Sequence, residues 1–395
     1  MRRIRDELRR ALHPALSLLT ALLLGAIIVV LTDFEHLRQI RADPLAAIGG
    51  ALGGVANGYA AMLTGAIGNP DRILAALQHG SPDDIAAAIR PISESLVSAT
   101  PFIFAGLGVA VSFRAGLFNL GVDGQFLIGG LGASIAAGLV AGRLPPLPAL
   151  AVAVAGGTLA GGAYAFIPGF LKARTGAHEV ITTVMLNGIA ANLAFLVAGW
   201  IGLAGTPAIP AVPRLADLPM IRVDYGFVVA LAMAAVVSWL LFRTTGGFEL
   251  RATGFSRSAA RVAGMRPDRA VVLAMTLSGA LVGMGSAFFG LGPAWGSPGM
   301  PEEGMGYVAV ALALLGGRRP GGVVVAALLY GALTNGAESA VVATGIPLAL
   351  LTVIVALTIL FAAAPQLIRS IWRLGPAEPG AESAASTPAG PAVTT

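Results

Sequence analysis

Polar side chains interrupt several apolar runs of this sequence, and they are the first candidates for a chemical role. Asn119, Asp123 and Gln125 stand near the start of one run, with Gly121 and Gly124 among them. Amide and ionisable groups are costly in hydrocarbon, so within a membrane they face a cavity or one another. The two glycines favour a broken helix, and a broken helix exposes backbone groups that can bind a solute.

Other polar groups extend this set along the chain. Asn187 lies in a later apolar run, and Asn335 and Glu338 are three residues apart, which places them on one helix face. Trp295 lies in a loop broken by Gly and Pro, where its aromatic face is suited to stacking on a flat base. The functional interpretation is that these side chains line a substrate route. The alternative is that they cap helices or bond neighbouring helices, which is common in membrane bundles.

Several kinds of chemistry are excluded by residues that the sequence lacks. The chain has no cysteine, so it has no disulfide, thiolate nucleophile or cysteine metal site. Its one lysine, Lys172, is followed by Ala173, which rules out a G-x-x-x-x-G-K-[ST] phosphate loop. His178 and Glu179 begin an H-E-x-x-H pattern, but Thr182 replaces the second histidine. The sequence therefore predicts no metal, no cofactor and no catalytic site of its own.

The composition is that of a polytopic membrane protein. Of the 395 residues, 56% are hydrophobic and 11% are charged, and the mean hydropathy is +0.82. The 53 glycines fit this class, because small residues let helices approach closely in lipid. The isoelectric point near 10.2 reflects arginines spread over short loops, as membrane orientation requires, so we expect no nucleic-acid partner.

Apolar runs of helical length predict an all-α fold with about ten transmembrane helices. The runs are 15–31, 95–113, 117–140, 150–170, 180–201, 225–242, 270–291, 321–343 and 346–364. Residues 305–315 form a run that rises only ~17 Å as a helix, so we expect a broken or re-entrant element there. The first run is expected to be an uncleaved span, because no clear small-x-small cleavage site follows it.

We divide the chain into a basic N-terminus at 1–14, a single transmembrane domain at 15–375 and a disordered tail at 376–395. Within the domain, 32–90 is expected to be a mostly external segment with short interfacial helices, and 46–67 is a weak candidate span. Charge supports a cytoplasmic N-terminus, because 18 of the 25 basic residues then fall on the cytoplasmic side. Both termini are expected to be cytoplasmic.

The longest basic break, 244–269, carries the signals of a short helix clamped at both ends. Ser256 is a good N-cap, Gly264 suits the position after a helix end, and Pro267 stops the helix. The helix predicted at 257–263 is too short to be stable alone, because isolated helices need roughly 12–15 residues. We therefore expect it to be held against something.

Arg257 and Arg261 share one face of this short helix, since they are four residues apart. The sharper interpretation is a cytoplasmic docking helix that receives mechanical force from a soluble partner. The alternative is an ordinary basic loop that orients the protein in the membrane.

Several separated motifs also carry a resemblance to a known family. Residues 106–110 and 113–125 read GLGVA and FRAGLFNLGVDGQ, and residues 178–187 read HEVITTVMLN. They resemble permease subunits of bacterial ABC importers, in the nucleoside and simple-sugar branch, which is related to the ribose and branched-chain amino acid permeases. That branch has N-E-V-I-x-T-x-M-L-N, so His178 stands where asparagine is usual. Residues 250–265 resemble its cytoplasmic coupling segment, and the resemblance extends over about 95 to 364.

The resemblance implies a permease domain at 15–375 in the lipid of a bacterial plasma membrane, importing nucleosides or related sugars by alternating access. It implies as partners two ATP-binding subunits inside, a second permease subunit that is different or identical, and an extracytoplasmic solute-binding protein. It also implies that 244–269 is the ATPase-coupling loop. The candidate coupling residues are Glu249, Arg251, Gly254, Arg257, Arg261 and Gly264.

Two other classes of function stay open at this point. An ion-coupled secondary transporter would work without an ATPase and would lose uptake with an uncoupler. A membrane enzyme or scaffold would show chemical turnover or no transport. Within the permease hypothesis, nucleoside and sugar both remain possible solutes, and the 119–125 signature serves either solute binding or helix packing.

Overall fold

The computed structural model describes residues 2–32, 38, 43–201, 223–291 and 304–373, and these ranges hold fifteen α-helices. In the first half they are α1 (Arg2–Thr32), α2 (Pro44–Ile67), α3 (Pro70–His79), α4 (Pro82–Arg114), α5 (Val122–Val140), α6 (Pro146–Thr175) and α7 (Glu179–Ile201). In the second half they are α8 (Tyr225–Arg243), α9 (Thr245–Phe255), α10 (Arg257–Val262), α11 (Pro267–Leu291), α12 (Met305–Leu315), α13 (Pro320–Thr344), α14 (Leu348–Ala363) and α15 (Pro365–Ile371).

This architecture confirms the all-α polytopic membrane fold. Eight helices of the described ranges are long and apolar enough to cross a membrane, and three shorter apolar helices accompany them, which fits the expected number of about ten. The helix α12 has 11 residues and is one of the short ones, as its sequence predicted. The tail at 376–395 lies outside the described residues.

The central element is α4, around which α8, α11, α12 and α13 pack. Its start is fixed by a capping box, in which Ser81 and Asp84 bond each other's backbone, and by Pro82 in the first turn. From Ala99 to Ser112 every residue of α4 is buried. The predicted span at 95–113 is therefore the inner part of a helix that begins at Pro82.

Glycines allow a close crossing between α6 and α11. A Cβ built on Gly161 would lie 2.4 Å from the carbonyl oxygen of Gly279, and one on Gly283 would lie 2.2 Å from that of Gly157. The Gly157 and Gly161 pair faces the Gly279 and Gly283 pair, each in small-xxx-small spacing. Backbone thus packs on backbone, which only glycine permits here.

The segment at 32–90 contains two complete described helices after residue 43. The weak candidate span at 46–67 lies within α2, a 24-residue helix that is long and apolar enough to span, and the 10-residue α3 follows it. Tyr59 donates a hydrogen bond to the Leu22 carbonyl of α1 at 2.6 Å.

The C-terminal end of α2 joins the bundle far from Arg114. Asn335 of α13 donates to the Gly65 carbonyl at 2.8 Å and to Ser95 Oγ of α4 at 3.1 Å. Ser95 and Arg114 are 19 residues apart on one helix, so about 29 Å separates them, close to the thickness of a hydrocarbon core. This position is compatible with an external location of 68–81, which stays a prediction.

The first turn of α8 contains a buried acid. Asp224 is the N-cap of α8, and its Oδ1 accepts a hydrogen bond from the Gly226 amide at 2.8 Å. Burial of the carboxyl group outweighs the effect of this hydrogen bond and raises the pKa of Asp224 to about 6.

Candidate functional site

The segment between α4 and α5 is held by a buried pair of amides. Asn119 is fully buried, and its Nδ2 donates to Gln125 Oε1 at 3.1 Å and to Ser278 Oγ of α11 at 2.9 Å. In return, Gln125 Nε2 donates to Asn119 Oδ1 at 3.1 Å, and the Gly121 amide donates to the same oxygen at 2.9 Å. The paired amides therefore satisfy each other and fasten this segment to α11.

Asn187 closes the same segment from α7. Its Nδ2 donates to the Leu120 carbonyl at 2.8 Å, and its Oδ1 accepts from the Gly124 amide at 2.9 Å. The α5 helix begins only at Val122, so these backbone groups belong to the expected break at the start of the third run. Gly124 is tightly enclosed, because a Cβ there would lie 3.1 Å from Ala190 and 3.0 Å from Asn187 Oδ1.

Asp123 links the break to the short helix α12. Its Oδ1 accepts a hydrogen bond from the Gly306 amide at 2.9 Å, in the first turn of α12. A carboxylate is favourable at that place, because helix N-termini carry free amides and partial positive charge. The side chain is half-buried.

Four of the predicted pathway residues thus form one connected set, which we call the break cluster: Asn119, Asp123, Gln125 and Asn187. Every hydrogen bond given above for the break cluster goes to the protein itself. This geometry favours the packing interpretation of these residues over direct solute binding. Asp123 keeps one oxygen beyond its bond to Gly306.

Asn335 and Glu338 lie elsewhere, at the end of the bundle where α2, α4 and α13 meet. Asn335 Nδ2 donates to the Gly65 and Pro91 carbonyls at 2.8 and 3.0 Å, and the side chain of Glu338 is exposed. A cavity of about 320 Å³ adjoins Gly65, and its lining includes Thr64, Asn69, Arg72, Pro91 and Ser339. Asn335 therefore fastens three helices at a place separate from the break cluster. Trp295 lies outside the described residues.

The predicted docking helix is present as α10, in the middle of the 244–269 loop. The hydroxyl of Ser256 accepts from the Ala259 amide at 3.3 Å, and Gly264 follows the helix end with a φ of 80°. Only glycine adopts that φ readily. Both end signals are confirmed, although a further helix, α9, precedes α10 where the sequence indicated only a polar break.

The polar coupling candidates around α10 have different environments. Glu249 is exposed, and Arg257 is half-buried. Arg261 Nη2 lies 3.7 Å from Asp268 Oδ2 on an exposed surface, so this pair adds little to stability. Gly254 packs against the end of α4, since a Cβ there would lie 2.2 Å from the Arg114 carbonyl oxygen. Arg251 stacks its guanidinium on the Phe242 ring, 5.3 Å from the centroid.

Two apolar residues beside α10 were missed by the sequence analysis. Phe255 ends α9 with 78% of its surface exposed, and Val262 ends α10 with 91% exposed. Large apolar side chains exposed on a polar loop are candidates for an interaction surface, although single ones also occur on ordinary protein surfaces. The sequence did contain a signal, because two large apolar residues stand inside a basic loop, but only the arginines were selected as candidates.

The His178 and Glu179 pair is not arranged as a metal site. Glu179 Oε2 lies 2.8 Å from Lys172 Nζ, so the acid forms a salt bridge that joins α7 to the end of α6. Among the residues that the structure describes, no group of three His, Asp or Glu side chains is placed to hold a metal ion.

Comparison with known proteins gives a consistent family. Residues 92–364 match the family described as the branched-chain amino acid transport system / permease component. The guanosine ABC transporter permease protein NupP of Bacillus subtilis is 32% identical over 378 residues, covering 92% of this chain and 96% of the relative. The nucleoside ABC transporter permease protein NupB of Lactococcus lactis is 30% identical, covering 71% and 80%.

A third relative differs in its named solute. The glucose ABC transporter permease protein TsgB13 of Haloferax volcanii is 34% identical over 295 residues, covering 68% of this chain and 75% of the relative. The family match includes the break cluster, Asn335, Glu338 and the whole 244–269 loop. From the matched family, the membrane-spanning helices and the separated motifs together, this chain belongs to the ABC transporter permeases of the branched-chain amino acid transport permease family.

Proposed function

We propose that this chain is the transmembrane permease of an ATP-driven importer that moves nucleosides into the cell by alternating access. The likeness to two permeases named for guanosine or nucleoside transport, one of them over nearly the whole chain, supports this solute class. The glucose permease relative supports a sugar as the second candidate. The two candidate solutes share one chemical feature, a hydroxylated sugar ring, which is ribose in a nucleoside.

The proposed assembly contains this chain, a second permease, ATP-binding subunits and a solute-binding protein. Two ATP-binding subunits hydrolyse ATP on the cytoplasmic side, so this chain is itself no enzyme. A second permease, identical or different, completes the transmembrane pathway, and a solute-binding protein delivers the solute outside. The chain lies in the plasma membrane, with both termini in the cytoplasm.

The feature that carries the mechanism is the clamped helix α10 with its exposed apolar neighbours. A helix of 6 residues has little stability of its own, but Ser256, Gly264 and the buried Ala260 fix its position. Phe255 and Val262 then offer apolar surface to the ATP-binding subunit, with Arg257 and Arg261 at the rim. Force on α10 is transmitted through α9, whose Gly254 contacts the end of the central helix α4.

The break cluster has a supporting part in this mechanism. It joins α5, α7, α11 and α12 at one place by side-chain hydrogen bonds. We propose that these helices move together as the transmembrane cavity changes sides. The contacts of the solute itself are then made by other groups on the pathway.

The docking surface is tested by co-purifying the full chain with its ATP-binding subunits and measuring their association and ATPase activity in vesicles. We expect the double variant Phe255→Ser/Val262→Ser to weaken association by about tenfold or more, because anchors in a protein interface contribute about 2 kcal/mol or more in total. Arg257→Glu/Arg261→Glu should weaken it less, since rim charges mainly alter association rates.

The control is Val342→Ser. Val342 is 89% exposed and lies near the C-terminal end of α13, the end far from the turn at 318–319. This variant should leave association unchanged. If both Phe255→Ser/Val262→Ser and the charge variant assemble as the wild type does, with normal folding, the ATP-binding subunits contact another surface or are not partners of this chain.

A further inference from the structure

Four arginines gather at the end of the bundle that is predicted to be cytoplasmic. Arg114 ends α4, Arg251 lies on α9, and Arg318 and Arg319 form the turn between α12 and α13. Arg114 Nε donates to the Arg318 carbonyl oxygen at 2.9 Å, and its guanidinium is close enough to the other three to be repelled by each. We call these residues the arginine cluster.

None of the salt bridges between described side chains involves the arginine cluster. They join Arg90 to Glu94, Lys172 to Glu179 and Arg261 to Asp268. Like charges at short distance destabilise one another, most strongly where they are partly buried. Such an arrangement calls for an external anion.

The geometry of the arginine cluster is also fixed in advance. The Cζ atoms of Arg114 and Arg251 lie 5.2 and 5.3 Å from the centroid of the Phe242 ring. Stacking on an aromatic ring holds the guanidinium planes and leaves their N–H groups for a ligand. Among the described residues, Arg114 uses only its Nε in a hydrogen bond to the protein.

Two buried polar atoms of α9 have no hydrogen-bond partner among the residues that the structure describes. They are Arg251 Nε, in the cluster, and Thr253 Oγ1, and Thr253 is only 2% exposed. Buried polar groups in native proteins nearly always have a partner. A ligand with several acceptor oxygens would supply one to Arg251.

The position of the arginine cluster identifies the kind of anion. Arg114 is the last residue of α4, a helix long and apolar enough to cross a membrane, so we expect the cluster at headgroup level. Phe118, which is 37% exposed, packs its ring 5.1 Å from that of Phe113 beside it. Basic pockets between helices at this level suit the phosphate of an anionic lipid, and arginine pairs with phosphate in a bidentate manner.

We propose that Arg114, Arg251, Arg318 and Arg319 bind the phosphate of an anionic lipid headgroup in the cytoplasmic leaflet. Because Arg251 lies on α9, a bound lipid ties the coupling segment to the ends of α4 and α13. The site thereby makes the position of α10 dependent on the lipid composition. This inference requires a membrane protein but no particular solute, so it stands or fails separately from nucleoside transport.

The test titrates the purified full chain in detergent with phosphatidylglycerol and counts bound lipid by native mass spectrometry. Phosphatidylcholine serves as the zwitterionic comparison. Arg318→Gln/Arg319→Gln is the informative variant, because both side chains are exposed and the fold does not depend on their charge. We expect its affinity for phosphatidylglycerol to fall about tenfold or more, since each basic residue near a membrane surface contributes about a factor of five.

The matched control is Arg174→Gln/Arg269→Gln, which removes the same charge from the predicted cytoplasmic side and includes another arginine stacked on phenylalanine, 5.8 Å from the Phe170 centroid. Its affinity should change less than twofold. Equal binding by the two double variants overturns the proposal.

Two further results would also overturn it. If inorganic phosphate alone displaces phosphatidylglycerol and raises the melting temperature as much, the site serves a soluble anion. If Arg318→Gln/Arg319→Gln keeps its lipid but loses its ATP-binding subunits, the arginines dock a protein. Selective loss of phosphatidylglycerol, with phosphate ineffective and assembly intact, is the result that supports the lipid site.

Discussion

Asn119 and Gln125 show what can be predicted from a polar residue in an apolar run. Amide groups are costly in hydrocarbon unless they have hydrogen-bond partners, and the sequence analysis expected such partners. The identity of the partners depended on the fold: Ser278 is 159 positions away along the chain from Asn119. Sequence spacing carries no information about such a contact. The hydrogen bonds favour packing, and solute binding by Asn119 and Gln125 stays a prediction.

Replacement of Asn119 separates those two roles. In Asn119→Leu the amide of Gln125, the hydroxyl of Ser278 and the amide of Gly121 lose a buried partner, at a cost of about 1–3 kcal/mol for each group left unsatisfied. We expect a clear fall in melting temperature in detergent, with solute affinity retained by the protein that remains folded.

Asn192→Leu is the control, because Asn192 is exposed and its Nδ2 donates to the Gly188 carbonyl of its own helix at 2.8 Å. Its melting temperature should hardly change. Normal stability of Asn119→Leu together with lost solute binding would return Asn119 to the substrate route.

Asp224 gives a prediction on pH. Burial raises its pKa from 3.8 to about 6, so the folded state favours the protonated carboxyl group. The associated stabilisation is fully present below about pH 4 and is lost as the pH rises through about 6. A shift of this size corresponds to roughly 2–3 kcal/mol.

Asp224→Asn stays neutral and retains the Oδ1 that accepts from Gly226. Melting temperatures measured from pH 4 to pH 8 should therefore show the variant and the wild type close together at pH 4 and the variant more stable above pH 7. A difference that does not vary with pH would mean that the carboxyl group is not buried as described.

Among the elements, the shortest described helix was predicted closely, whereas the long helix α2 was only a weak candidate span. The end signals of α10 are local, since Ser256 and Gly264 act within one turn, and so the sequence placed it within one residue. The helix α2 depends on tertiary packing: its Gly65 and Met62 contact Gly336 of α13.

The exposed residues of the coupling segment show the same limit. Arg257 and Arg261 were predicted from helical spacing, whereas Phe255 and Val262 could be chosen only when their exposure was known. Helix periodicity places residues on a face but does not say whether the protein covers that face.

The crossing of α6 and α11 gives an element-level prediction. In Gly161→Leu the new Cβ would lie 2.4 Å from the Gly279 carbonyl oxygen and 2.8 Å from the Gly283 Cα, and neither backbone atom can give way. The two helices must separate, so we expect a severe loss of folded protein, as judged by monodisperse yield and melting temperature.

Gly188→Ala is the matched control on α7, because a Cβ there meets nothing within 4 Å. It should be neutral or slightly stabilising, by up to about 1 kcal/mol, since alanine favours the helix over glycine. A well-folded Gly161→Leu with normal melting temperature would contradict the backbone contact between α6 and α11.

At the scale of the whole molecule, composition and charge were sufficient to predict the class. Long apolar runs require helices in lipid, and arginine placement favours one orientation. The assembly was beyond such reasoning, because a partner is recognised by a surface that only the folded chain creates. Under the proposed function, the surface formed by Phe255, Val262 and α10 is the candidate for that contact.

The most direct test of the account is solute uptake by vesicles that contain the full chain with its ATP-binding subunits and solute-binding protein. Uptake of labelled guanosine is measured with enclosed ATP, with and without an uncoupler, and with unlabelled nucleosides or glucose as competitors. The account predicts ATP-dependent accumulation that resists the uncoupler and is inhibited by nucleosides but not by glucose. Uptake that proceeds without ATP and disappears with the uncoupler would contradict it and favour an ion-coupled secondary transporter.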